Sequence, residues 1–335
     1  MRKFLPSLII TLLTCLWIAS NGQAAEQELT LEERNLERLH LYQKIEALTN
    51  IPWYYIAAVD TYERGVRRAL RDRPREEGFI SIFYSPNQWA GPLNPNLDDQ
   101  DPLSISMFGG IGLDGNGDGI ADRMNDEDIL YTFANHLEQY GFSSEDFRIA
   151  LWDYYQREQS VTIISGHARL YEKYGHLDLH DHAFPLPLRS NYSYRSTWGD
   201  RRGWGGRRIH EGTDIFAGYQ VPVRSTAFGI VEIKGWNIYG GWRVGIRDLD
   251  NIYHYYAHLS GFEKGIEEGA IVEPGQIIGY VGSSGYGKPG TQGKFPPHLH
   301  YGMYRDNGFI EWSFDPFPSL KNWERQGFQK LRSGN

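Results

Sequence analysis

Four short runs in the second half of the chain decide its fold: Gly229-Ile-Val-Glu-Ile233, Trp242-Arg-Val-Gly-Ile246, Ile252-Tyr-His-Tyr-Tyr256 and Ile277-Ile-Gly-Tyr-Val281. β-Branched and aromatic residues favour strands, and the glycines that separate such runs favour turns. The alternation of short apolar runs with turns is typical of an all-β region, which we expect to begin after Arg195.

The first half of the chain has the pattern of helices. Thr30 precedes Glu32 and Glu33, which is the arrangement of an N-cap with an acidic first turn. Pro52 suits the first turn of a second helix, because the missing N–H of proline has no partner there in any helix. Ser143, followed by Glu145 and Asp146, indicates the start of another helix.

The length of 335 residues is too great for one ordinary domain and sufficient for two. The boundaries that we predict are a helical module at residues 25–175, a linker at residues 176–194, a β domain at residues 195–320 and a C-terminal tail at residues 321–335. The fold class is therefore α+β, with a mainly helical module followed by an all-β domain.

Composition excludes several classes of protein. Hydrophobic residues make up 40% and charged residues 23% of the chain, which is typical of a globular protein and not of a disordered one. The net charge of −8 disfavours nucleic acid as the main partner, since phosphate binding needs a basic surface. One cysteine, Cys15, allows no intrachain disulfide. Nothing in the sequence indicates an oligomeric state.

The amino terminus reads as a secretory signal peptide at residues 1–24. Arg2 and Lys3 precede a mostly apolar run at residues 4–19, and Gly22 and Ala24 provide the small residues that cleavage requires. The alternatives are an uncleaved anchor helix, for which the run is short, and a lipoprotein signal at Cys15. After cleavage the mature chain would be secreted, free of cysteine and without a membrane span.

Histidine and aspartate residues in the β region predict a metal site. His210 and Asp214 are four residues apart, and His298 and His300 are two apart, so that the last two point to the same face of a strand. His258 follows an aromatic strand. Zn²⁺ accepts His nitrogen and Asp oxygen, and a catalytic site has three protein ligands with one open position. The remaining histidines then become candidates for proton transfer.

Three other histidine patterns are weaker. Glu211 follows His210 as in the helical His-Glu-x-x-His motif, but Asp214 stands where that motif needs histidine and Gly212 disfavours a helix. His180 and His182, in the linker, are expected to be solvated. His254 precedes His258 by four residues, and we expect it in the groove or at the surface.

The β region resembles the LytM/lysostaphin-type zinc metallopeptidases over roughly residues 190–315. The segments that carry the resemblance are Arg208-Ile-His210-Glu-Gly-Thr-Asp214, Pro222-Val-Arg-Ser-Thr-Ala-Phe-Gly229, Tyr256-Ala-His258-Leu-Ser260, Val272-Glu-Pro-Gly275-Gln-Ile-Ile-Gly279 and Pro297-His298-Leu-His300-Tyr-Gly302. The resemblance implies an antiparallel β fold with a groove, Zn²⁺ held by His210, Asp214 and His300, catalytic roles for His258 and His298, and hydrolysis of peptide bonds in peptidoglycan.

The chemistry of these residues agrees with that implication. Zn²⁺ polarises a scissile carbonyl and lowers the pKa of bound water towards about 7. His298 is our first choice for the base that takes the water proton and passes it to the leaving amine. His258 is then placed to stabilise the developing oxyanion, although the sequence leaves the two assignments exchangeable.

An acidic loop at residues 114–122 has the pattern of a calcium loop. Asp114, Asn116, Asp118 and Asp122 stand at positions 1, 3, 5 and 9, with glycine at position 6. Asn125 replaces the bidentate glutamate at position 12, so a complete EF-hand is excluded and a weaker Ca²⁺ site remains the hypothesis. The alternative is a tight, Asx-rich turn that uses its carboxylates to cap the next helix, which is expected to begin near residues 125–127.

The helical module resembles part of a lytic-transglycosylase domain. Residues 83–89, the acidic loop and residues 126–141 carry this likeness, and Glu63 stands where that family has its catalytic acid. Arg64 replaces the usual serine, and residues 80–84 lack the usual motif. A nearby arginine should depress the pKa of Glu63, which is the wrong direction for an acid. A degenerate module that binds glycan or positions the peptidase is the preferred interpretation.

The sequence thus predicts a secreted zinc endopeptidase that acts on peptidoglycan stem peptides. The combination of its two parts resembles the sporulation-type L-Ala–D-Glu peptidases, which implies a role in remodelling cell wall or spore cortex. One alternative is a bifunctional transglycosylase and peptidase that uses Glu63. Another is a non-catalytic regulator that binds cell wall.

Overall fold

A computed structural model describes residues 29–72, 74–75, 78–202 and 208–334. The predicted signal peptide and Cys15 lie outside these residues. The α+β prediction is confirmed, because a helical N-terminal region precedes an antiparallel sheet. Within the described part of the chain, no helix is both long enough and apolar enough to cross a membrane.

Local capping signals in the sequence mark where the main helices begin. The helices are α1 (Leu31–Thr49), α2 (Trp53–Leu70), α3 (Pro86–Ala90), α4 (Pro102–Met107), α5 (Asp126–Glu138), α6 (Ser144–Tyr155) and α7 (Glu158–Tyr174). Thr30 caps α1 by accepting from the Glu33 N–H, and Ser143 caps α6 in the same way through Asp146. Pro52 is the residue before α2.

The β region forms one antiparallel sheet and a small hairpin. The strands are β1 (Tyr192–Tyr194), β2 (Arg201–Arg202), β3 (Arg208–Ile209), β4 (Thr213–Ala217), β5 (Pro222–Arg224), β6 (Gly229–Asn237), β7 (Gly241–Arg247), β8 (Ile252–Phe262), β9 (Ile271–Val272), β10 (Ile277–Val281), β11 (His298–Asp306) and β12 (Glu311–Phe314). The main order is β1-β4-β11-β8-β7-β6-β9, with β12 beside β11 and with β10 between β8 and β5. The hairpin pairs β2 with β3. β8 is the middle strand of this path, and β11 lies between β8 and β4.

The helical module packs directly against the β region. Asp306, a fully buried residue at the end of β11, accepts two hydrogen bonds from Arg157, at 3.1 and 2.6 Å. Nε2 of His167 in α7 lies 2.9 Å from the carbonyl oxygen of Asp248. Asn251 donates to the carbonyl of Tyr62 in α2, at 3.0 Å. These buried polar contacts favour one arrangement of the two parts, because a shift of one part against the other would leave buried donors and acceptors without partners.

The predicted linker and tail are both packed in the structure. Leu177 joins the core of the helical module, while Phe184 and Leu186 join the core of the β region. The expectation of a solvated His182 is wrong, since its ring stacks on Trp323 at 4.9 Å between centroids. Trp323 lies in α8 (Phe317–Ser333), a helix that includes most of the predicted tail and packs against the sheet.

The acidic loop is a turn in which carboxylates accept backbone N–H groups, and an asparagine instead of a loop carboxylate caps the next helix. Asp114 accepts hydrogen bonds from the N–H groups of Gly117 and Gly119, at 2.7 and 2.8 Å. The buried Asp128 accepts from Gly115 and Asp122. Asn125 caps α5. Among the described residues, the loop carboxylates do not converge on a common point as a group that could hold a metal ion.

Candidate active site

Two neighbouring strands bring the predicted metal ligands together. β4 and β11 are antiparallel, and their register places Asp214 directly opposite His300. His210 comes just before β4, after the short strand β3, and its side chain is almost completely buried. The sequence prediction that residues 210–214 are not helical is confirmed, because Asp214 belongs to a strand.

The ligand atoms of these three residues form a tight triangle. Nε2 of His210 lies 2.9 Å from Nδ1 of His300 and 3.1 Å from Oδ1 of Asp214, and Nδ1 of His300 lies 2.9 Å from the same oxygen. Ligands that surround Zn²⁺ tetrahedrally at 2.0–2.1 Å are separated by about 3.3 Å. The triangle is close to that size, so these residues fit a zinc ion.

A backbone carbonyl fixes the ring of His210 in the orientation that a metal requires. Nδ1 of His210 lies 2.9 Å from the carbonyl oxygen of Thr197. Because a carbonyl only accepts, Nδ1 carries the proton and Nε2 keeps its lone pair. This second contact, which orients the ring and fixes its tautomer, is usual for histidine ligands. Thr197 also accepts the N–H of Asp214 through its hydroxyl oxygen, at 3.2 Å.

Asp214 is held in the charged form that a cation needs. Burial by itself would raise the pKa of this carboxyl group. The close contacts with the His210 and His300 rings, together with the positive charge of protonated His300, outweigh burial and keep the pKa of Asp214 well below its usual value. The site therefore presents one carboxylate and two imidazole nitrogens, which is a donor set that suits Zn²⁺.

A β-bulge turns His258 towards this site. Val244 of β7 pairs with Tyr256, whereas Trp242 pairs with Leu259, so β8 contains one extra residue in this interval. His258 lies in the bulge with a φ of 63°, in the left-handed region that few side chains adopt. Its ring centroid is 4.8 Å from that of His298 and 5.8 Å from that of His300.

His258 and His298 both carry a proton on Nδ1 and leave Nε2 as the basic atom. Nδ1 of His258 lies 2.8 Å from the carbonyl oxygen of Ser284, and Nδ1 of His298 lies 2.9 Å from that of Pro296. Nε2 of His298 is 3.7 Å from Oδ1 of Asp214. Burial, with the nearby rings of His298 and His300, holds the pKa of His258 well below its usual value, so this ring is neutral at pH 7.

Two cavities border the site and have His210 in common, and we interpret them as the two arms of one groove. One arm is a cavity of about 520 Å³ that borders His210, His258 and His300 and continues along the sheet to Arg247 and Glu311. The other arm, of about 550 Å³, borders His210 and Asp214 and includes Tyr194 and Phe216. An extended peptide placed in the groove would therefore pass directly over the His–Asp cluster.

The expectation for His254 is wrong. This residue is fully buried behind the sheet, where its Nε2 lies 2.8 Å from Oδ2 of Asp248 and its Nδ1 lies 2.6 Å from the hydroxyl of Tyr301. His254 and His258 would share a face in a regular strand. The extra residue in β8 reverses the alternation of side chains between them, and only His258 reaches the groove.

Sequence reasoning missed the residues that orient the histidines. Thr197, Ser284 and Pro296 each contribute a backbone carbonyl, which every residue has, and so no residue type marks these positions. For the threonine, two contacts depend on the side chain: its hydroxyl accepts from the N–H of Asp214 and donates to the carbonyl of Gly212.

Glu63 lies in α2, away from the His–Asp cluster. Its Oε1 accepts a hydrogen bond from the hydroxyl of Tyr155 at 2.8 Å, and its Oε2 lies 3.5 Å from Arg67. Arg64 instead pairs with Asp60. The prediction that arginine depresses the pKa of Glu63 is wrong in its net effect, because burial outweighs Arg67 and raises that pKa.

Comparison with known proteins gives a consistent picture. Residues 208–312 match the model of peptidase family M23. The chain is 61% identical over 296 residues to the L-Ala–D-Glu endopeptidase of Bacillus subtilis, covering 88% of this chain and 91% of that protein. It is 34% identical over 135 residues to the lysostaphin of Staphylococcus staphylolyticus, covering 40% of this chain and 26% of lysostaphin.

Solved structures of lysostaphin are also similar to part of this chain. The catalytic domain of lysostaphin from Staphylococcus simulans has 29% identity and a TM-score of 0.34. That match covers 42% of this chain and 99% of the lysostaphin domain.

Proposed function

The chain belongs to peptidase family M23, and on that basis we propose that it is a zinc-dependent endopeptidase that hydrolyses the L-Ala–D-Glu bond of peptidoglycan stem peptides. The observation that carries the proposal is the triangle of His210, Asp214 and His300 at the junction of the two arms of the groove. The bond is assigned from the Bacillus subtilis relative, which matches nearly the whole chain.

His210, Asp214 and His300 would hold the metal through Nε2, Oδ1 and Nδ1 respectively. When bound, Zn²⁺ supplies a Lewis acid that polarises the scissile carbonyl and lowers the pKa of a coordinated water. The chain supports this chemistry by keeping Asp214 ionised and by fixing the His210 tautomer through Thr197. The first effect keeps a negatively charged oxygen on Asp214 and the second keeps the Nε2 lone pair of His210, and both would face the ion.

His298 and His258 handle the protons. Nε2 of His298 lies beside Asp214 Oδ1, where it can take a proton from water and return it to the leaving amine. His258 is buried and its carbonyl partner keeps Nε2 as the acceptor, so it shares the base role or, once protonated, stabilises negative charge on the former carbonyl oxygen. The assignment of the main base role to His298 is part of the proposal.

The proposed site of action is outside the cytosol. The signal-peptide pattern at residues 1–24 supports secretion, and peptidoglycan lies outside the cytoplasmic membrane. We assign the β region at residues 195–320 to catalysis and the helical module at residues 25–175 to the binding or positioning of substrate. A regulator without catalysis is disfavoured because the rings of His258 and His298 lie close to the cluster of His210, Asp214 and His300.

Mass spectrometry of digested peptidoglycan tests the proposal. Purified protein is incubated with cell-wall sacculi, and the released fragments are sequenced. The expected products carry a new amino terminus on D-Glu and leave L-Ala on the glycan. Products with any other new amino terminus would show that the bond is wrongly assigned. Asp214→Asn protein serves as the matched control, since it should release no peptide.

The second candidate activity is that of a transglycosylase with Glu63 as its catalytic acid. Its buried side chain and raised pKa are properties of a glycosidase acid, and its hydrogen bond from Tyr155 orients the carboxyl group. If the helical module is a transglycosylase, wild-type protein will release anhydro-sugar products and the Glu63→Gln variant will not. If neither releases them, the module has only a binding or positioning role.

A further inference from the structure

Arg208 is an exposed cation at the edge of the groove, next to the His–Asp cluster. It begins the short strand that leads into His210, and its side chain borders the same arm of the groove as His210, His258 and His300. Its guanidinium carbon lies 4.6 Å from the ring centroid of Tyr239. Arg208 is therefore exposed to solvent at the lining of this arm.

Tyr286 connects Arg208 to the catalytic histidines. Nη2 of Arg208 donates a hydrogen bond to the Tyr286 hydroxyl at 3.0 Å. The ring of Tyr286 stacks on that of His258, with centroids 6.0 Å apart and planes 20° apart. The rings of Tyr239 and Tyr286 therefore orient the guanidinium group, and Tyr286 contacts both Arg208 and the proposed catalytic residue His258.

The charge of Arg208 is not neutralised within the described part of the chain. No salt bridge joins it to an acidic side chain there, and the hydrogen bond to Tyr286 uses one of its five N–H donors. Arg247, further along the same arm, differs because its charge is paired with acidic side chains. Both Glu232 and Glu311 bind it, and it is almost fully buried. The acidic residue nearest in sequence, Glu211, accepts from the Tyr304 hydroxyl at 3.3 Å.

The proposed substrate carries the group that such an arginine recognises. A glutamyl residue whose amine takes part in the scissile bond has two carboxyl groups, and continuation of the peptide uses only one. The other remains as a carboxylate unless it is amidated. The planar guanidinium fork matches a carboxylate with two parallel hydrogen bonds.

We infer that Arg208 binds the free carboxylate of the D-Glu residue on the leaving-group side of the scissile bond. This inference rests on the proposed bond specificity. It assigns the arm that contains Arg208 to the D-Glu side of the substrate and the arm that contains Tyr194 and Phe216 to the L-Ala side. Arg208 is thus a specificity-determining residue, and amidation of D-Glu weakens cleavage by this enzyme.

The test compares two soluble peptides that differ at one group. Both contain the L-Ala–D-Glu bond, and the second has the free carboxyl of D-Glu replaced by a carboxamide. Wild-type protein should cleave the carboxylate form with a kcat/KM about tenfold to hundredfold higher. Arg208→Gln should reduce this preference to about threefold or less, mainly by raising KM for the carboxylate form. Arg208→Lys should recover only part of it, because lysine keeps the charge without the fork.

Arg243→Gln is the matched control. Arg243 borders the same arm and also has no acidic partner among the described residues, but it lies on β7, which β8 separates from the ligand strand β11. This variant should keep the preference for the carboxylate form. Zinc content, measured by mass spectrometry of the metal, should be equal in wild-type protein and every variant.

Three results would overturn the inference. The first is equal cleavage of the two peptides by wild-type protein. The second is an equal loss of activity on both peptides in the Arg208→Gln variant, which would indicate a structural role. The third is loss of the preference in Arg243→Gln but not in Arg208→Gln. If neither peptide is cleaved at this bond while cell wall is still digested elsewhere, the proposed bond specificity itself is wrong.

Discussion

His300 and Asp214 are direct cross-strand partners in the sheet, and Nδ1 of His300 lies 2.9 Å from Oδ1 of Asp214. The hydrogen bonds between β4 and β11 set this relationship, so two ligands of the proposed metal site are placed by the core of the β region and not by a loop. A site built on paired strands holds its ligands rigidly, which favours a defined coordination geometry.

Removal of one ligand should remove the metal. Asp214→Asn takes away the single negative charge of the cluster, and we expect the purified variant to contain less than about a tenth of the zinc bound by wild-type protein. Dialysis of wild-type protein against a chelator should abolish activity, and added Zn²⁺ should restore it. His40→Ala, which changes an exposed histidine of α1, is the control and should keep full zinc content.

A methyl group at Gly212 should disturb the site without changing any ligand. A Cβ atom there would lie 2.6 Å from Cε1 of His300 and 2.7 Å from the carbonyl oxygen of Tyr301. Gly212→Ala must therefore displace His300, and we expect zinc affinity to fall about tenfold to hundredfold in a competition titration. Gly218→Ala, whose Cβ would have its nearest contact at 3.7 Å, should bind zinc as tightly as wild-type protein.

His298→Ala should separate proton transfer from metal binding. We expect kcat to fall by about 10²–10⁴-fold with zinc retained, because the base is lost and the ligands remain. Variant protein that lacks zinc would instead make His298 a ligand. His258→Asn provides the companion test, since asparagine tolerates the left-handed backbone at this position. Turnover at the wild-type rate in both variants would contradict the proposed mechanism.

The contact between Arg157 and Asp306 should contribute to the stability of the whole chain. Asp306 is fully buried, so Arg157→Met leaves a carboxylate without its main cationic partner. We expect a loss of about 3 kcal/mol in the free energy of unfolding, measured with urea. Arg148→Met breaks an exposed pair with Glu158 and should cost less than about 1 kcal/mol. Similar losses in the two variants would argue against a buried ion pair between the two parts.

His167 should make stability depend on pH. Burial, opposed by its contact with Asp248, lowers its pKa to about 4 in the folded chain. The unfolded chain, with a pKa near 6.5, takes up a proton that the folded chain does not. The free energy of unfolding is therefore highest above about pH 6.5, and it falls by roughly 3 kcal/mol as the pH decreases towards 4.

His167→Gln should reduce this pH dependence, because glutamine does not titrate and can still donate to the Asp248 carbonyl. The measurement is the free energy of unfolding at several pH values between 4 and 7. His40→Gln, at an exposed position of α1, should leave the dependence as it is in wild-type protein. If the free energy of unfolding of His167→Gln depends on pH in the same way as that of wild-type protein, His167 is not the group that causes the pH dependence.

Residue types and local signals were sufficient for much of the fold. Thr30 and Ser143 cap their helices through contacts within one turn, and the four opening runs form strands β6, β7, β8 and β10. Both kinds of signal are local, since a cap or a strand preference depends on neighbouring residues. The histidines and the aspartate of the active site were also recognisable, because few residue types bind Zn²⁺ and their order along the chain resembles that of a known family.

The sequence by itself determined the chemistry available to this protein, and the tertiary structure decided which residues perform it. His254 and His258 stand on the same strand four residues apart, yet one is buried behind the sheet and the other faces the groove. One extra residue in β8 makes the difference, and such a bulge depends on pairing with distant strands. The carbonyls of Thr197 and Ser284, which fix the tautomers of His210 and His258, depend likewise on how segments far apart in sequence pack together.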